Sequence, residues 1–160
     1  MQALLKSFAR RRHSRGFGIH SPFAYRFITE VLCLPHNYGY YAYALAGRDG
    51  NLRLLVRLLA FFSPASVTVD LVEGAAIVGR LVREVLPHAA LNGPHPDFII
   101  SDKNVVAQMP CNAFLLGEEA LACLPAVGEA LPYGMTFAGR SCAVVAALPH
   151  LPRQDFELKL

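Results

Sequence analysis

No apolar run in this 160-residue chain reaches the ~20 residues that a membrane-spanning helix needs, although 54% of its residues are hydrophobic. Charged residues are scarce, at 17%, so the composition is that of a packed core and excludes a disordered polyelectrolyte. No C-x-x-C pair occurs. Cys33, Cys111, Cys123 and Cys142 are scattered through apolar surroundings, where a free thiol behaves as a small hydrophobe, and a reducing, cytoplasmic setting follows. No two of the six histidines stand at i, i+4, so a zinc-binding helix is unsupported and no metal site is expected. The N-terminal basic residues are followed by neither an apolar stretch of signal-peptide type nor a cleavage site, so no secretory leader is expected. Acid is missing from one region in particular. The first 29 residues hold Lys6, Arg10, Arg11, Arg12, Arg15 and Arg26 but no Asp or Glu, so the net charge of +3 belongs to an N-terminal arm on an otherwise acidic chain.

What is present is organised around Ser66 to Leu86. Val67-Thr68-Val69-Asp70-Leu71-Val72 is rich in β-branched residues and short enough to be a buried strand. A turn, Glu73-Gly74-Ala75-Ala76, follows it. Ile77, Val78, Leu81, Val82 and Val85 then recur at helical spacing, with Arg80, Arg83 and Glu84 between them. Strand, glycine-bearing turn and amphipathic helix form the opening unit of a nucleotide- or cofactor-binding α/β domain.

On the N-terminal side the pattern predicts helices over Ala3 to about Arg12, from Ser21-Pro22 to Leu34-Pro35, and over Leu52 to Phe62. Ser21 can accept a bond from a free backbone N–H, and Pro22 at the first helical position has no N–H to leave unsatisfied. Gly16-Phe17-Gly18, the aromatic run Asn37 to Tyr43, and Gly47-Arg48-Asp49-Gly50 read as breaks. On the C-terminal side, strands are expected over Asp97–Ser101, Asn112–Leu116, Met135–Phe137 and Cys142–Leu148, the last two as a hairpin. Asn104–Gln108 reads as a short helical turn and Ala120–Leu131 as a helix interrupted by Pro125 and Gly128. The tail from Phe156 to Leu160 alternates as an edge strand would.

Gly18-Ile19-His20-Ser21-Pro22-Phe23 resembles the Gly-Ile-His-Ser-Pro-Phe signature near the start of a group of bacterial class I S-adenosylmethionine-dependent methyltransferase-like proteins. Phe61 to Val72 is similar to their helix and first strand. Gly139 between two strands, with Gln154-Asp155-Phe156-Glu157-Leu158 after it, is similar to their final hairpin and tail. Asp97 to Asp102 and Asn104 fit the fourth strand and its Asp-Gly-Asn-His end, from which Lys103 and Val105 depart, and Glu118-Glu119 sits where paired acids follow the fifth strand. The resemblance implies an α/β fold with a reduced Rossmann-like, mainly parallel sheet of about five strands. An antiparallel C-terminal hairpin and a helical N-terminal extension complete it, with residues 1–62 as the extension and 63–160 as the core. In the family's numbering the sheet would read 1-4-5-7-6, with the seventh strand antiparallel.

Two departures bear on activity. The family's first strand ends in an acid-x-Gly-x-Gly-x-Gly type turn, whose glycines admit the cofactor close to the backbone. Here Asp70-Leu71-Val72-Glu73-Gly74-Ala75-Ala76 keeps only Gly74, and Val72 puts a branched side chain where close approach is required. Asp70 and Gly74 are what remains for cofactor binding, and Asp70 reads equally well as a cap on the turn. Between the central helix and Asp97 stand only the ten residues Pro87 to Pro96, three of them proline, where a crossover alone needs more than ten. The family's second strand, with its ribose-binding acid, is therefore expected to be missing, leaving the first strand at the sheet edge. The N-terminal helices, a second subunit or another protein partner would cover that edge.

The function expected is that of a methyltransferase-like protein that has lost S-adenosylmethionine binding and catalysis and serves as a binding or scaffold domain. One alternative is an active methyltransferase on a small molecule, with Asp70 and Gly74 holding the cofactor. A second is nucleic-acid binding through the basic arm, against which the acidic remainder of the chain argues. His20, Asp102, Asn104, Glu118 and Glu119 are the candidate pocket residues: the last four fall at strand ends where open α/β sheets bind ligands, and His20 lies in the signature. No catalytic residue is assigned.

Overall fold

The computed structural model describes residues 10–16, 18–33 and 40–160. Of the helix expected from Ala3, only its end is described, with residues 10–13 helical; Phe17, Leu34-Pro35 and the start of the aromatic run lie outside the described residues. Helix α1 spans Pro22–Arg26, and Ser21 caps it as its composition predicts, its hydroxyl accepting from Ala24 N at 3.3 Å. The chain continues directly into a π-helical turn, Phe27–Leu32. Helix α2 is Tyr40–Ala46 and α3 is Gly50–Phe62. The last of these starts two residues earlier than expected because Asp49 Oδ1 accepts from Asn51 N and Leu52 N, at 2.8 and 3.1 Å, and so caps it.

The central unit folds as read: β1 is Ser66–Asp70 and α4 is Ala75–Val85. Then come β2 (Ala90–Leu91), β3 (Phe98–Ser101), a 3-10 turn over Val106–Gln108 and β4 (Asn112–Leu116). The interrupted helix resolves into α5 (Gly117–Ala122) and α6 (Leu124–Ala130). Strands β5 (Met135–Ala138), β6 (Cys142–Ala146) and β7 (Gln154–Glu157) close the chain.

The sheet has seven strands in the order β2-β1-β3-β4-β6-β5-β7, not about five. The five expected strands hold the expected order, with β6 antiparallel to both β4 and β5 and the pairs β1–β3 and β3–β4 parallel. The two additions lie at the edges. Strand β7 runs parallel to β5, and β2 runs parallel to β1 through Ser66–Ala90 and Val67–Leu91. Hence β1 is not the edge that the shortened sequence implied. Beyond β2, Asn92 at φ 58° turns its side chain back, and Val69 N donates to its Oδ1 at 2.8 Å. A two-residue strand and one amide blunt the edge from within the chain, so neither the N-terminal helices nor a second subunit is needed to cover β1.

Alternation along the strands sends side chains to two faces. Phe98, Ile100, Phe114, Phe137 and Val144 face α1, the π turn, α3 and α4 in the larger core. Ile99, Ala113, Leu115, Ala143 and Val145 face the 3-10 turn, α5 and α6. Helix α2 forms an outer layer, Ala42 and Ala46 meeting Val56 and Leu81. Aromatic rings tie the N-terminal helices to the sheet: that of Phe27 lies 5.1 Å from Phe137 and 4.9 and 5.7 Å from Phe61 and Phe62, and that of Phe62 lies 5.5 Å from Phe98 (centroid distances).

All four cysteines are free, as their scatter predicts. Burial pushes the Cys142 thiol from the ordinary 9.0 to about 11, and Cys111 rises as far through burial with Asp97 nearby. A thiol whose pKa is raised by folding favours the native state below the ordinary value and withdraws that support as pH climbs to the raised one. In native protein at pH 8, iodoacetamide is expected to leave Cys111 and Cys142 unlabelled by peptide mass mapping while Cys123 reacts. The urea midpoint is expected to fall as pH rises from about 9 towards 11.

Candidate functional site

Parallel pairing of β1, β3 and β4 sets three loops side by side at one end of the sheet. Strand β1 ends at Asp70 and leads through Val72 to Gly74. Strand β3 leads into Asp102, Lys103 and Asn104, and β4 into Gly117, Glu118 and Glu119. The loops are tied together: Asp102 N donates to Asp70 O at 3.3 Å, and Val72 N donates to Asp102 Oδ2 at 2.9 Å. A Cβ placed on Gly117, whose φ is +77°, would stand 3.8 Å from the Asp102 Cβ, which places the β4 loop against the β3 loop.

Lys103 gathers the acids. Its Nζ pairs with Asp70 Oδ1, while its own backbone N donates to Ser101 Oγ at 3.0 Å. The Lys103 ammonium is held above its ordinary range first by the hydrogen bond to Asp70, which outweighs the opposing desolvation, and then by the charges of Asp70, Asp102 and Glu119. Asp70, Asp102 and Glu119 thus all lie within electrostatic reach of the one ammonium. Asp102 Oδ1 is buried without a hydrogen-bond partner among the described residues.

The other candidates divide. Asn104 caps its own turn, accepting from Val106 N at 3.0 Å. Glu118 and Glu119 are exposed in the first turn of α5. His20 is exposed ahead of the Ser21 cap and makes no side-chain hydrogen bond among the described residues. Gly74 has the left-handed φ of 76° that a side chain resists, yet the space above it is open, since a Cβ there would meet only Ile77 Cγ2 at 3.8 Å. Val72 reverses an expectation. The residue is 76% exposed and does not fill the space beside the turn, because the chain leaves the sheet after Asp70 and strand alternation no longer directs it.

Two residues that sequence reasoning passed over decide the geometry. Lys103 stood out only as a departure from the family pattern, and its reach across 33 positions to Asp70 had no local signal. Asn92 follows β2 directly, and the second strand stops at Leu91, level with Val67 and so three residues, about 10 Å, short of the end of β1. Clefts of about 900, 560, 360 and 610 Å³ open elsewhere on the described surface, and Asp70, Gly74, Asp102 and Glu119 line none of these. No three His, Cys, Asp or Glu side chains group as metal ligands among the described residues, and no described helix is long and apolar enough to cross a membrane. The chain matches no protein-family model, no curated protein and no solved structure.

Proposed function

We propose that this chain is a class I methyltransferase-like protein that no longer binds S-adenosylmethionine and acts as a binding or scaffold domain. The single observation that carries the reading is the Lys103–Asp70 ion pair. Asp70 is the one acid left where the resemblance puts a cofactor-binding carboxylate, and it is already partnered by a lysine from the next loop. A cofactor amine would have to displace an ammonium that has no other described acceptor. The second wall is also short, since β2 stops at Leu91 and is followed by Asn92, whose amide oxygen is committed to Val69 N, so no acid stands where a ribose would need one. The residues present do not fit the cofactor, and bulk at Val72 is not the reason. The order of the five inner strands, with β6 antiparallel, supports the Rossmann-like half of the reading.

The competing reading, an active small-molecule methyltransferase, draws on one feature: the turn at Gly74 keeps its left-handed backbone and open space. Thermal unfolding separates the two. A ligand held at 100 times its Kd adds about 2.7 kcal/mol, which for a domain of this size raises Tm by roughly 5–11 °C. Millimolar S-adenosylmethionine is expected to leave Tm unchanged, and a rise of several degrees would favour the active enzyme.

A further inference from the structure

The cleft of about 900 Å³ lies apart from the Asp70 loops, where five separate parts of the chain meet. Residues 11–15 of the arm form one wall and the end of the π turn another. The first turns of α3 and the tail at Lys159, next to Ser141 of the β5–β6 hairpin, complete it. The arm is tied in place. Ser14 Oγ donates to Arg10 O and accepts from Lys159 N, both at 2.8 Å, and Arg10 pairs with Glu157 of β7 at 3.3 Å.

Five cations line this cleft: Arg11, Arg15, Arg53, Arg57 and Lys159. The one acidic side chain in the lining is Asp49, and its carboxylate already caps α3. Every Asp and Glu of the chain lies among the described residues, and the three ion pairs found there include none of the five cations. Arg57 is the telling member. It is only 8% exposed, and its Nε and one Nη donate to Val31 O and Leu32 O at 2.6 and 3.1 Å, so the charge is buried with backbone acceptors but no counter-ion. Burying a cation without an opposite charge is costly, and crowding four more around it raises the cost, unless an anion enters.

We infer that this cleft binds a small molecule carrying clustered phosphates, such as a di- or triphosphate group. Guanidinium forks match phosphate oxygens two at a time, and four of the five cations are arginines. The volume suits a compact ligand, small-molecule sites running from about 300 to 1,000 Å³. The amides at the start of α3 are occupied by Asp49, so the side chains, not the helix end, would hold the anion. Nucleic acid is the weaker fit. No aromatic side chain lines the cleft among the described residues, so there is no platform for stacking a base, and the acidic remainder of the chain would repel a long polyanion. The inference does not rest on the loss of the methyl donor, because the two sites share no residue.

The test is calorimetric titration of the full chain at low salt with inorganic tripolyphosphate, orthophosphate, adenosine triphosphate and a single-stranded DNA 12-mer. One saturable site for tripolyphosphate is expected, with orthophosphate at least tenfold weaker and affinity falling as salt rises. Equal affinity for adenosine triphosphate would mark a site that reads the phosphates alone, and tighter binding one that also reads the nucleoside. The exposed pair Arg11→Ala/Lys159→Ala should weaken tripolyphosphate at least tenfold with the ligand-free Tm preserved, whereas Arg26→Ala, outside the cleft, should not. Arg15→Gln supplies the same comparison if the pair fails to fold. No saturable heat for tripolyphosphate, undiminished binding in the cleft variants, or a 12-mer that binds more tightly and displaces tripolyphosphate would each overturn the inference.

Discussion

Phe27→Ala is expected to lower stability by about 3–5 kcal/mol, the largest loss of any single truncation considered, and Tm by roughly 10 °C or more. The ring is 1% exposed and touches aromatic rings on three elements: Phe23 of α1 at 5.4 Å between centroids, Phe61 and Phe62 of α3, and Phe137 of β5. Truncation removes the transfer free energy of a large side chain and leaves a cavity between helices and sheet that neither side can collapse to fill. Edge-on and stacked ring pairs add about 0.5–1.5 kcal/mol beyond the area buried. Phe61→Ala supplies the comparison, because Phe61 shares the cluster but is 44% exposed, and its loss should be near 1 kcal/mol. Urea unfolding followed by far-UV circular dichroism measures both. Equal effects would show that Phe27 is not what joins the N-terminal helices to the sheet.

Arg57→Ala should come close behind, at about 2–4 kcal/mol. The guanidinium is the only described donor reaching the carbonyls of Val31 and Leu32, the last residues of the π turn, where a helix end leaves acceptors unsatisfied. Removing it strands two buried acceptors and opens the space its stem occupied. Two further substitutions separate those causes. Arg57→Lys keeps a charge and a donor and should recover part of the loss. Arg57→Met fills the stem's volume but donates nothing, and should recover less. If methionine proved the better replacement, the bonds to Val31 and Leu32 would not be what matters at this position.

Much of the frame was legible in the sequence because its signals are local. The β-branched run at Val67–Val69, the helical spacing from Ile77 to Val85, the Ser21-Pro22 start and the hairpin at Gly139-Arg140 each announce themselves within a few residues. Strand β2 could not be read that way. Two residues have no alternation to display, and Ala90-Leu91 joins the sheet through backbone bonds made to residues 24 positions earlier. The pairing of β7 with β5 escaped for a related reason, since an alternating tail shows a strand but not its neighbour.

The candidate site was legible in its membership and not in its wiring. Strand ends suggested Asp102, Asn104, Glu118 and Glu119 as neighbours, but only the folded chain shows Lys103 turned onto Asp70 and Val72 turned away. The cationic cleft was hidden more completely. Arg11 and Arg15 read as a solvated basic arm, and Arg53 and Arg57 as one face of α3. Five separated segments must come together before they become a single surface.

Titration of S-adenosylhomocysteine into the native protein, followed by calorimetry, bears most directly on whether the methyl-donor site survives. With Asp70 held by Lys103 and β2 ending short of the ligand end, the isotherm should show dilution heats alone. A saturable isotherm in the micromolar range, weakened at least tenfold by Asp70→Asn, would contradict the account and make the Gly74 turn a working cofactor site.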